Sequence, residues 1–412
     1  KNKGGVKITL IVIPDFRDQT QVGEHKTVEP KIKITKEESE TMPIAKIIKQ
    51  PSELITASTV APLNTGSNVA AVALLRRGAD ATESVLLVHN PEELPDAGFD
   101  ETTEEYALVE AMFDVKGFEG PVMIGTYPST DVISLNDVSV TPTADGATVS
   151  ATVSGVQKWL EDHLNDGPRW FIPVGMTDDD IKTAADIMYA NAHSELVLQV
   201  DNIVDLQKWH DYAIATQTDK DKLGHLRAIV EKSAENKPAA QAVAYASTLT
   251  LLDWMRIGNL SQFVPNDWTQ VELDMIGNLN GLTVVNKADD LMLSADKELN
   301  GNYIDNSFNA QFNTDFLQYR IQKWMNIKNF TEITDDNISE LVTTVQAAGD
   351  DLFKLRTIAT GDDGKANFHV TAKSRSQLSA YEISQRKYKS LDVQMGLPNP
   401  FEKVYLNNAI TL

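Results

Sequence analysis

The side chains best suited to metal binding or acid–base catalysis are scattered along this 412-residue chain. Zinc sites bring His or Cys ligands together at short, regular spacings on one helix or across one turn. The chain has no cysteine, and no two of its seven histidines stand at such a spacing. We therefore expect no zinc site, no disulfide and no cysteine nucleophile. The histidines are His25, His89, His163, His193, His210, His225 and His369.

Two acidic clusters resemble cation sites, because hard cations bind grouped carboxylates. Asp178–Asp180 directly follows Thr177, which is the order of a helix N-cap with acidic residues opposing the positive end of the helix dipole. Asp362 and Asp363 lie between two glycines, a composition typical of a solvent-facing turn. We interpret both clusters as structural and predict no metal ion at either.

The glycine-rich and nucleophile motifs of common enzyme classes are also missing. The sequence contains no G-x-G-x-x-G, no G-x-x-x-x-G-K-[ST] and no G-x-S-x-G, so dinucleotide binding, P-loop chemistry and the usual hydrolase elbow have no support. We predict no catalytic residue and no cofactor. An α/β enzyme with an unrecognised site stays an alternative.

The charge is strongly negative and unevenly distributed. The net charge is -22, which argues against nucleic-acid binding because phosphate affinity depends on concentrated Lys and Arg. Residues 1–50 carry ten basic against seven acidic residues and residues 365–412 seven against three, so the body between them is more acidic than the whole chain. The ends are either ordinary solvated surface or regions that dock onto the acidic bodies of neighbouring copies.

Basic residues in the C-terminal half concentrate in two short segments, K-S-R-S and R-K-Y-K. They form a candidate contact patch for an acidic neighbour, or else a solvated helix face. The patch consists of Lys373, Arg375, Arg386, Lys387 and Lys389.

No run approaches the ~18 apolar residues that a membrane-spanning helix needs. The N-terminus lacks the charged, apolar and small-residue order of a signal peptide, which predicts an intracellular origin. We therefore expect no membrane insertion.

Both chain ends have strand character. A β-branched run precedes Pro14, and 401–406 has a similar composition. A strand at a chain end must pair, either within its own sheet or on the open edge of another subunit's sheet. The predicted arm residues are Val6, Ile8, Leu10 and Val12 at the N-terminus, and Val404, Tyr405, Leu406 and Ile410 at the C-terminus.

The middle of the chain alternates between strand and helix patterns. A strand at 170–174, a helix at 181–190 capped by Thr177, and a strand at 196–200 predict a right-handed βαβ unit with parallel strands. Residues 69–75 and 84–88 predict a hairpin around Gly78, and alternation at 138–153 predicts a second one. We interpret 206–255 as helix-rich.

The chain around 281–330 predicts a strand, a turn at Asn300-Gly301, the short element Y-I-D and one long helix. Leu317, Ile321 and Trp324 follow helical spacing on that helix and further apolar residues flank them, so we expect it to be buried on most sides. Asp335–Asn337 is expected to cap the next helix.

This order, from a hydrophobic strand through G-x-Y-I-D, a long helix ending in I-Q-K-W, a capped second helix and a basic segment to a terminal β stretch, resembles the C-terminal part of tail sheath proteins of contractile-tailed bacteriophages. The likeness covers roughly Thr248–Leu412 and points to phages of Gram-positive hosts. The patterns together predict a multidomain chain of mixed α+β and α/β class, with mixed β-sheets flanked by helices and extended β-strand terminal arms.

The resemblance implies a structural subunit that polymerises helically around a tail tube and contracts to drive the tube through the host envelope. Neighbouring copies, the tube protein, and baseplate and tail terminator proteins would be its partners, in a virion assembled in the host cytoplasm. Alternatives are a sheath of a bacteriocin-like or injection particle, and, from another class, a capsid or surface-layer protein. The expected segments are an N-terminal arm (1–20), a linker with part of the inner domain (21–56), an outer α/β domain with a β-hairpin insertion (57–260), an inner, tube-proximal domain (261–400) and a C-terminal β arm (401–412).

Overall fold

The computed structural model describes residues 70–79, 83–133, 139–143, 146–150, 152–164, 166–219, 223–249, 254–260, 263–328, 331–384, 386 and 388–398, and for 139–150 the backbone alone. The predicted arms 1–20 and 401–412, with all eight arm residues, and the linker 21–56 lie outside these ranges. Those predictions therefore stay predictions.

The described residues form the following strands and helices. The strands are β1 (Val72–Arg77), β2 (Ser84–Val88), β3 (Val122–Tyr127), β4 (Val132–Ile133), β5 (Ser139–Thr143), β6 (Gly146–Ser150), β7 (Thr152–Val153), β8 (Trp170–Val174), β9 (Glu195–Val200), β10 (Leu226–Val230), β11 (Val284–Lys287), β12 (Asp290–Leu293), β13 (Phe368–Ala372) and β14 (Leu391–Met395). The helices are α1 (Glu104–Phe113), α2 (Gly155–His163), α3 (Asp178–Asn191), α4 (Ile203–Thr216), α5 (Pro238–Ser247), α6 (Gln270–Asn278), α7 (Ile304–Ile327), α8 (Asp335–Lys354) and α9 (Ala380–Ser384).

A six-stranded sheet organises the first part of the molecule. Its strand order is β10-β9-β8-β1-β3-β2, and every neighbouring pair is parallel except β2 with β3. The predicted βαβ unit is confirmed: β8 and β9 are parallel neighbours, and α3 between them begins after the N-cap Thr177.

The predicted hairpin between 69–75 and 84–88 is wrong. β3 lies between β1 and β2, pairing with β1 in parallel and with β2 in antiparallel register. The burial of the strands explains the difference: the first four residues of β1 are buried, which suits the centre of a parallel sheet, whereas β2 begins with exposed residues and forms an edge.

Helices cover both faces of the sheet. On β1, Val72 and Leu74 join the core beneath α1 and α5, while Ala73 and Leu75 join the core beneath α2, α3 and α4. This alternation follows from the two-residue repeat of a strand. The result is a doubly wound α/β layer with one hydrophobic core on each face.

Residues 226–230, which the sequence analysis placed in a helix-rich passage, form the strand β10. All five residues are buried, and β10 pairs in parallel with β9. A run of five residues, apolar except for Arg227, is too short to show a period by which a strand can be told from a buried helix.

The chain beyond residue 260 continues along the β10 edge. Leu282 pairs in parallel with Ile229, and the backbone N–H of Leu299 donates to the carbonyl of Leu226 at 3.0 Å. Backbone pairing thus joins residues on the two sides of the expected domain boundary at 260/261. The boundary itself stays a prediction.

The predicted hairpin at 138–153 is confirmed. β5 and β6 form an antiparallel pair with Val140 opposite Val149, and β4 with β7 forms a second antiparallel pair at its base. The hairpin occupies the connection between β3 and α2.

A third core lies between α7, α8 and the antiparallel pair β13–β14. Phe312 and Leu317 of α7 meet Val345 and Leu352 of α8 and Phe368 of β13 there. The N-cap of α8 is Thr334, whose side-chain oxygen accepts from the backbone N–H of the third helical residue, so the expected cap at 335–337 is corrected by one to three positions.

Helices, one parallel-rich sheet and separate antiparallel pairs occur together in the described chain. The predicted mixed class, with β-sheets flanked by helices, is therefore confirmed.

Candidate functional site

The structure brings part of the predicted basic patch together beside β13 and β14. Lys373 follows β13 and Lys389 precedes β14, and both are exposed. Hydrogen bonds from Ser379, together with these two ammonium groups, lower the pKa of the Glu382 carboxyl, so the patch faces an acid of its own chain.

The other basic residues have different surroundings. The Arg375 backbone N–H donates to Asp335 Oδ1 at 2.6 Å, and its guanidinium donates to the Ile333 carbonyl. Arg375 therefore binds the chain at the N-terminus of α8. Arg386 is exposed, and Lys387 lies outside the described residues. Binding of an acidic neighbour by the patch stays a prediction.

The pair β13–β14 is a small sheet with one covered face. Phe368, Val370, Leu391 and Val393 belong to the core on α8, and the residues between them in each strand are exposed. No other described strand pairs with β13 or β14. A two-stranded sheet with free edges can accept a further strand, because edge N–H and C=O groups remain available for pairing.

The long helix α7 is buried over its first half only, which corrects the expectation that it is covered on most sides. Its buried residues end at Leu317. Beyond that point Tyr319 is 45%, Met325 41% and Ile327 76% exposed. Part of the apolar composition that predicted burial therefore lies on a surface of α7 that the described residues leave exposed.

A buried cluster of charged residues lies where β9 and β10 meet the N-terminal half of α7. Arg227 Nη2 is 2.6 Å from Glu195 Oε2 and 3.6 Å from Glu298 Oε1, and all three side chains are buried. His225 Nδ1 is 3.4 Å from Glu195 Oε1 and 2.7 Å from the Ser194 carbonyl oxygen, to which it donates. The Ser307 hydroxyl of α7 contacts Glu298 Oε1.

The two carboxyls of this cluster have opposite pKa shifts. Burial alone raises the pKa of Glu195, but the charges of Arg227 and His225 outweigh it and hold that pKa below its ordinary value. Burial and the neighbouring Glu195 carboxylate raise the pKa of Glu298 well above its ordinary value, despite Arg227. We conclude that Glu195 is the carboxylate partner of Arg227 and that burial beside Glu195 favours the protonated form of Glu298.

The backbone fits closely around the cluster at Gly224. A Cβ atom there would lie 2.0 Å from Glu298 Oε2, too near for any side chain. A glycine at this position lets the chain pass directly against the carboxyl group.

Arginine and aromatic side chains connect this cluster to the third core. The Arg227 guanidinium carbon is 5.0 Å from the ring centroids of both Trp170 and Trp254. Phe308 stacks on Trp170 with centroids 5.6 Å apart, and Phe312 stacks next along α7 at 6.5 Å. These contacts fasten α7 to the sheet through stacking and cation–π interactions.

A second buried ion pair supports the same helix. Arg169 Nη2 is 2.9 Å from Asp315 Oδ2 of α7, and the Arg169 guanidinium carbon lies 5.4 Å from the Phe308 ring centroid. Burial raises the pKa of Asp315 to about 6, and Arg169 offsets only part of that effect. The Ser194 N–H donates to Gln311 Oε1 at 3.1 Å, which adds a further tie between the sheet and α7.

This cluster was not predicted, because its members are far apart in the chain and form no motif. A signal was present in the sequence: Glu195 begins a mostly apolar strand, and Arg227 interrupts another. Charged residues are rarely fully buried unless they are paired. Two such strands therefore pointed to a buried ion pair, without indicating Glu298 as the third member.

Both acidic clusters lie where they were predicted, one at the start of a helix and the other in a turn. Asp178–Asp180 forms the first turn of α3, where Asp180 Oδ2 accepts from the Tyr127 hydroxyl at 2.9 Å and Lys208 binds Asp178. Asp362 and Asp363 lie in a turn before β13. Among the described residues, no group of three His, Asp or Glu side chains is placed to hold a metal ion.

An open cleft at the C-terminal end of α8 is lined by Phe353, Lys354, Arg356, Ile358, Ala359, Thr360 and Pro398. Among its described lining residues, Lys354 and Arg356 carry positive charge and Thr360 carries a hydroxyl. None of the helices in the described ranges is long and apolar enough to cross a bilayer.

No protein-family model matches this sequence. No curated protein is similar enough in sequence to count as a relative.

Solved structures share the fold. A chain in the cryo-EM structure of the anti-feeding prophage (AFP) baseplate, six-fold symmetrised, has a TM-score of 0.56 and 12% identity, covering 94% of this chain and 100% of that chain. A chain of the AFP helical sheath in the contracted state has a TM-score of 0.54 and 12% identity, covering 90% and 99%. A chain of the PVC sheath complex of an extracellular contractile injection system, also contracted, has a TM-score of 0.53 and 11% identity, covering 93% and 98%. At these identities the likeness establishes a common fold extending over nearly the whole of each chain.

Proposed function

We propose that this protein is the structural subunit of a contractile sheath, which polymerises helically around a tube and contracts to drive the tube through a target envelope. One observation carries the proposal: the fold matches chains of two contractile particles over at least 90% of this chain and 98% of each of theirs. Coverage in both directions means that a whole subunit is shared rather than one common domain.

The terminal arms hold the subunits together in this proposal. The strands predicted at 6–13 and 401–406 add to free sheet edges of adjacent copies, and β13–β14 is an accepting sheet of suitable form because one face is covered and its edges are unpaired among the described strands. Backbone hydrogen bonds formed in this way keep the copies connected while their bodies move. The basic residues beside β13 and β14 meet acidic bodies of neighbours.

The particle is an injection particle rather than a phage tail of a Gram-positive host. The fold neighbours described above come from an anti-feeding prophage and an extracellular contractile injection system, which supports the first of these two alternatives. Genome ejection is then absent. Purified particles would carry no capsid and no DNA; DNA-filled heads on the same tails would instead favour the phage.

The inner domain, about 261–400, faces the tube, and 57–260 faces outward. Besides its own copies, the subunit binds the tube protein, baseplate proteins and a tail terminator. The extended and contracted states differ in interface free energy for each subunit, and this difference is multiplied over the cylinder. The protein has no catalytic role.

Proteins of two other classes would behave differently. An α/β enzyme with an unrecognised site would show turnover or saturable ligand binding without polymerising. A capsid or surface-layer protein would self-assemble into shells or flat sheets rather than tubes.

Sedimentation at rising protein concentration tests the proposed polymerisation. Three versions are compared: the full chain, a chain lacking Lys1–Pro14, and a control in which residues 1–14 are scrambled at unchanged length and charge. The full chain should pellet above a critical concentration, and the other two should stay in the supernatant. Equal pelleting of the scrambled version would contradict the role of the arm, and a full chain that stays soluble at every concentration, even with preformed tubes added, would contradict polymerisation.

A further inference from the structure

One exposed stretch of the chain carries many acidic residues and no basic one. Residues 89–114 contain nine Asp and Glu and no Lys or Arg, and all of these acids except Glu105 are exposed. Only Glu104 among the exposed ones lies in the first turn of α1, where a helix dipole favours acids. Seven of them define the acidic face: Glu92, Glu93, Asp96, Asp100, Glu101, Glu104 and Glu110.

Carboxylates from three segments of the acidic face lie close to one side chain, Tyr106 of α1. Partial burial, together with the charges of Glu110, Glu101 and Glu92, raises the pKa of the Tyr106 hydroxyl. These three acids belong to α1, to the loop before it and to the short helical turn Pro91–Glu93. Charges act over only about 10 Å at ordinary ionic strength. The acidic face is therefore one surface rather than separate charges along the chain.

The basic residues next to the acidic face are used elsewhere or are too few to balance it. Arg76 pairs at 3.1 Å with Glu105, the buried acid of α1. Arg77 donates to the Ser129 carbonyl at 3.0 Å. Lys116, just beyond α1, adds one positive charge against the seven negative charges of the face. A large negative charge therefore remains on this surface.

Acidic side chains on other elements have a base beside them. The pairs include Asp178–Lys208, Glu272–Lys232, Glu340–Lys328 and Asp351–Arg320. Among the ion pairs described, none joins the acidic face to a Lys or Arg. This surface therefore differs from the other acidic groups of the described chain in lacking a positive partner.

The basic patch has the opposite charge on a different part of the chain. Residues 365–395 contain six Lys and Arg against two acids. Lys373 and Lys389 are neighbours in space, because the Lys373 backbone N–H donates to the Ser390 carbonyl at 3.2 Å. Of the two acids, Glu382 accepts from Ser379, and Asp392 is exposed on β14. An excess of positive charge remains beside β13 and β14.

We propose that the acidic face of one copy binds the basic patch of the next, so that α1 docks against the β13–β14 side of its neighbour. This inference rests on the proposed function, since it names the surface that the basic patch meets during assembly. Two different surfaces that bind head to tail leave one of each unoccupied, so that further copies can add. Charges at such a contact determine orientation and association rate more than affinity.

Charge reversal on the acidic face tests the contact, because specific docking and general repulsion predict opposite results. E101K/E110K makes the chain less negative by four charges, which by itself weakens repulsion between copies. The proposal predicts that the critical concentration for assembly nevertheless rises, by roughly three- to tenfold. Sedimentation measures it, with and without preformed tubes.

The matched control reverses two exposed acids on other helices. Asp211 of α4 and Asp274 of α6 each accept from a glutamine four residues earlier, and D211K/D274K changes the net charge equally. Its critical concentration should stay unchanged or fall.

Mixing two variants gives an independent test. E101K/E110K has positive charge on both surfaces, and K373E/K389E has negative charge on both. Neither should assemble at the wild-type critical concentration, whereas their equimolar mixture should, because each reversed surface then meets an opposite charge. A mixture of K373E/K389E with D211K/D274K should not recover assembly.

The outcomes separate this contact from the sheath proposal. If the wild-type chain assembles and E101K/E110K assembles at the same or a lower concentration, the contact is wrong and the sheath proposal stands. If the wild-type chain fails to assemble even with tubes, both are wrong. The neutral variant E101Q/E110Q decides the matter if the reversed chain does not fold: it should raise the critical concentration by about two- to threefold, and no rise would overturn the contact.

Discussion

Asp315 shows how burial of a single carboxyl makes stability depend on pH. Its pKa of about 6 lies above the ordinary aspartate value of 3.8, because burial outweighs the attraction of Arg169 at 2.9 Å. A carboxyl whose pKa is higher in the folded than in the unfolded chain stabilises the fold fully below its unfolded pKa. That contribution is lost as the pH rises through the folded value.

The variant D315N keeps the shape of the side chain and cannot ionise. The free energy of unfolding of the wild-type chain, relative to this variant, should therefore fall by roughly 3 kcal/mol between about pH 3 and pH 7. Urea titrations at several pH values measure the difference. D178N is the control, since Asp178 is exposed and paired with Lys208; it should shift the profile by less than about 1 kcal/mol. Parallel profiles for D315N and the wild-type chain would exclude this role for Asp315.

The contacts of single residues were the hardest feature of this protein to predict from the sequence. The sequence identified the acidic first turn of α3 and its Thr177 cap, since both depend on neighbours in the chain. It did not identify Glu298, which is 103 positions from Glu195, because only the fold brings them together. A local pattern predicts a local hydrogen bond, whereas a buried charge cluster requires the tertiary structure.

Two helical glycines test how the elements pack. Gly349, in the C-terminal half of α8, would place an added Cβ 2.2 Å from the Phe368 ring of β13, whereas an added Cβ at Gly277 of α6 has nothing within 4 Å. Alanine is the better helix former by about 1 kcal/mol. G277A should therefore stabilise the chain by about 0.5–1 kcal/mol.

G349A should destabilise the chain by about 1–3 kcal/mol, because the clash with the β13–β14 pair exceeds the gain in helix propensity. Thermal or urea unfolding of both variants measures the contrast. Stabilisation by both substitutions would mean that β13 does not lie against α8 at Gly349.

The two halves of α7 should respond differently to truncation. Phe308 is buried and stacks between Trp170 and Phe312, so F308A should cost about 3–5 kcal/mol. Tyr319 is 45% exposed, and Y319A should change stability by about 0.5 kcal/mol or less when the protein is monomeric. A comparable loss from both would show that the exposed half of α7 is covered within the single chain.

Elements with a clear period were predicted well, together with pairings between elements that are close in the chain, but more distant pairings were not. The α3 helix, the parallel β8–β9 pair and the β5–β6 hairpin follow from local patterns. The pairing of β1 with β3 does not, because the intervening chain contains β2 and α1. Likewise, the apolar composition of α7 predicted buried side chains. It did not indicate whether the residues that bury them belong to the same chain or to another one.

At the scale of the whole molecule, the basic patch tests how copies attract one another. Lys373 and Lys389 are exposed beside β13–β14 and are the pair to reverse. If they meet acidic bodies of neighbours, K373E/K389E should raise the critical concentration for assembly by roughly three- to tenfold, since exposed ion pairs contribute about 0.2–1 kcal/mol each. Sedimentation measures this concentration.

A matched charge reversal elsewhere provides the control. Lys354 at the end of α8 is 74% exposed in its side chain and pairs only locally with Asp351 at 3.0 Å among the contacts described. K354E, combined with reversal of the exposed Lys323 of α7, changes the net charge equally. An equal rise in critical concentration would attribute the effect to net charge and contradict a specific role for the patch.

Electron microscopy of the purified chain at rising concentration, alone and with preformed tubes of a contractile particle, tests the central claim most directly. The sheath hypothesis predicts hollow cylinders with a helical repeat, built from subunits of the fold described above, and predicts that the chain lacking Lys1–Pro14 forms none. Flat sheets or closed shells would contradict it, as would monodisperse particles at every concentration even when tubes are present.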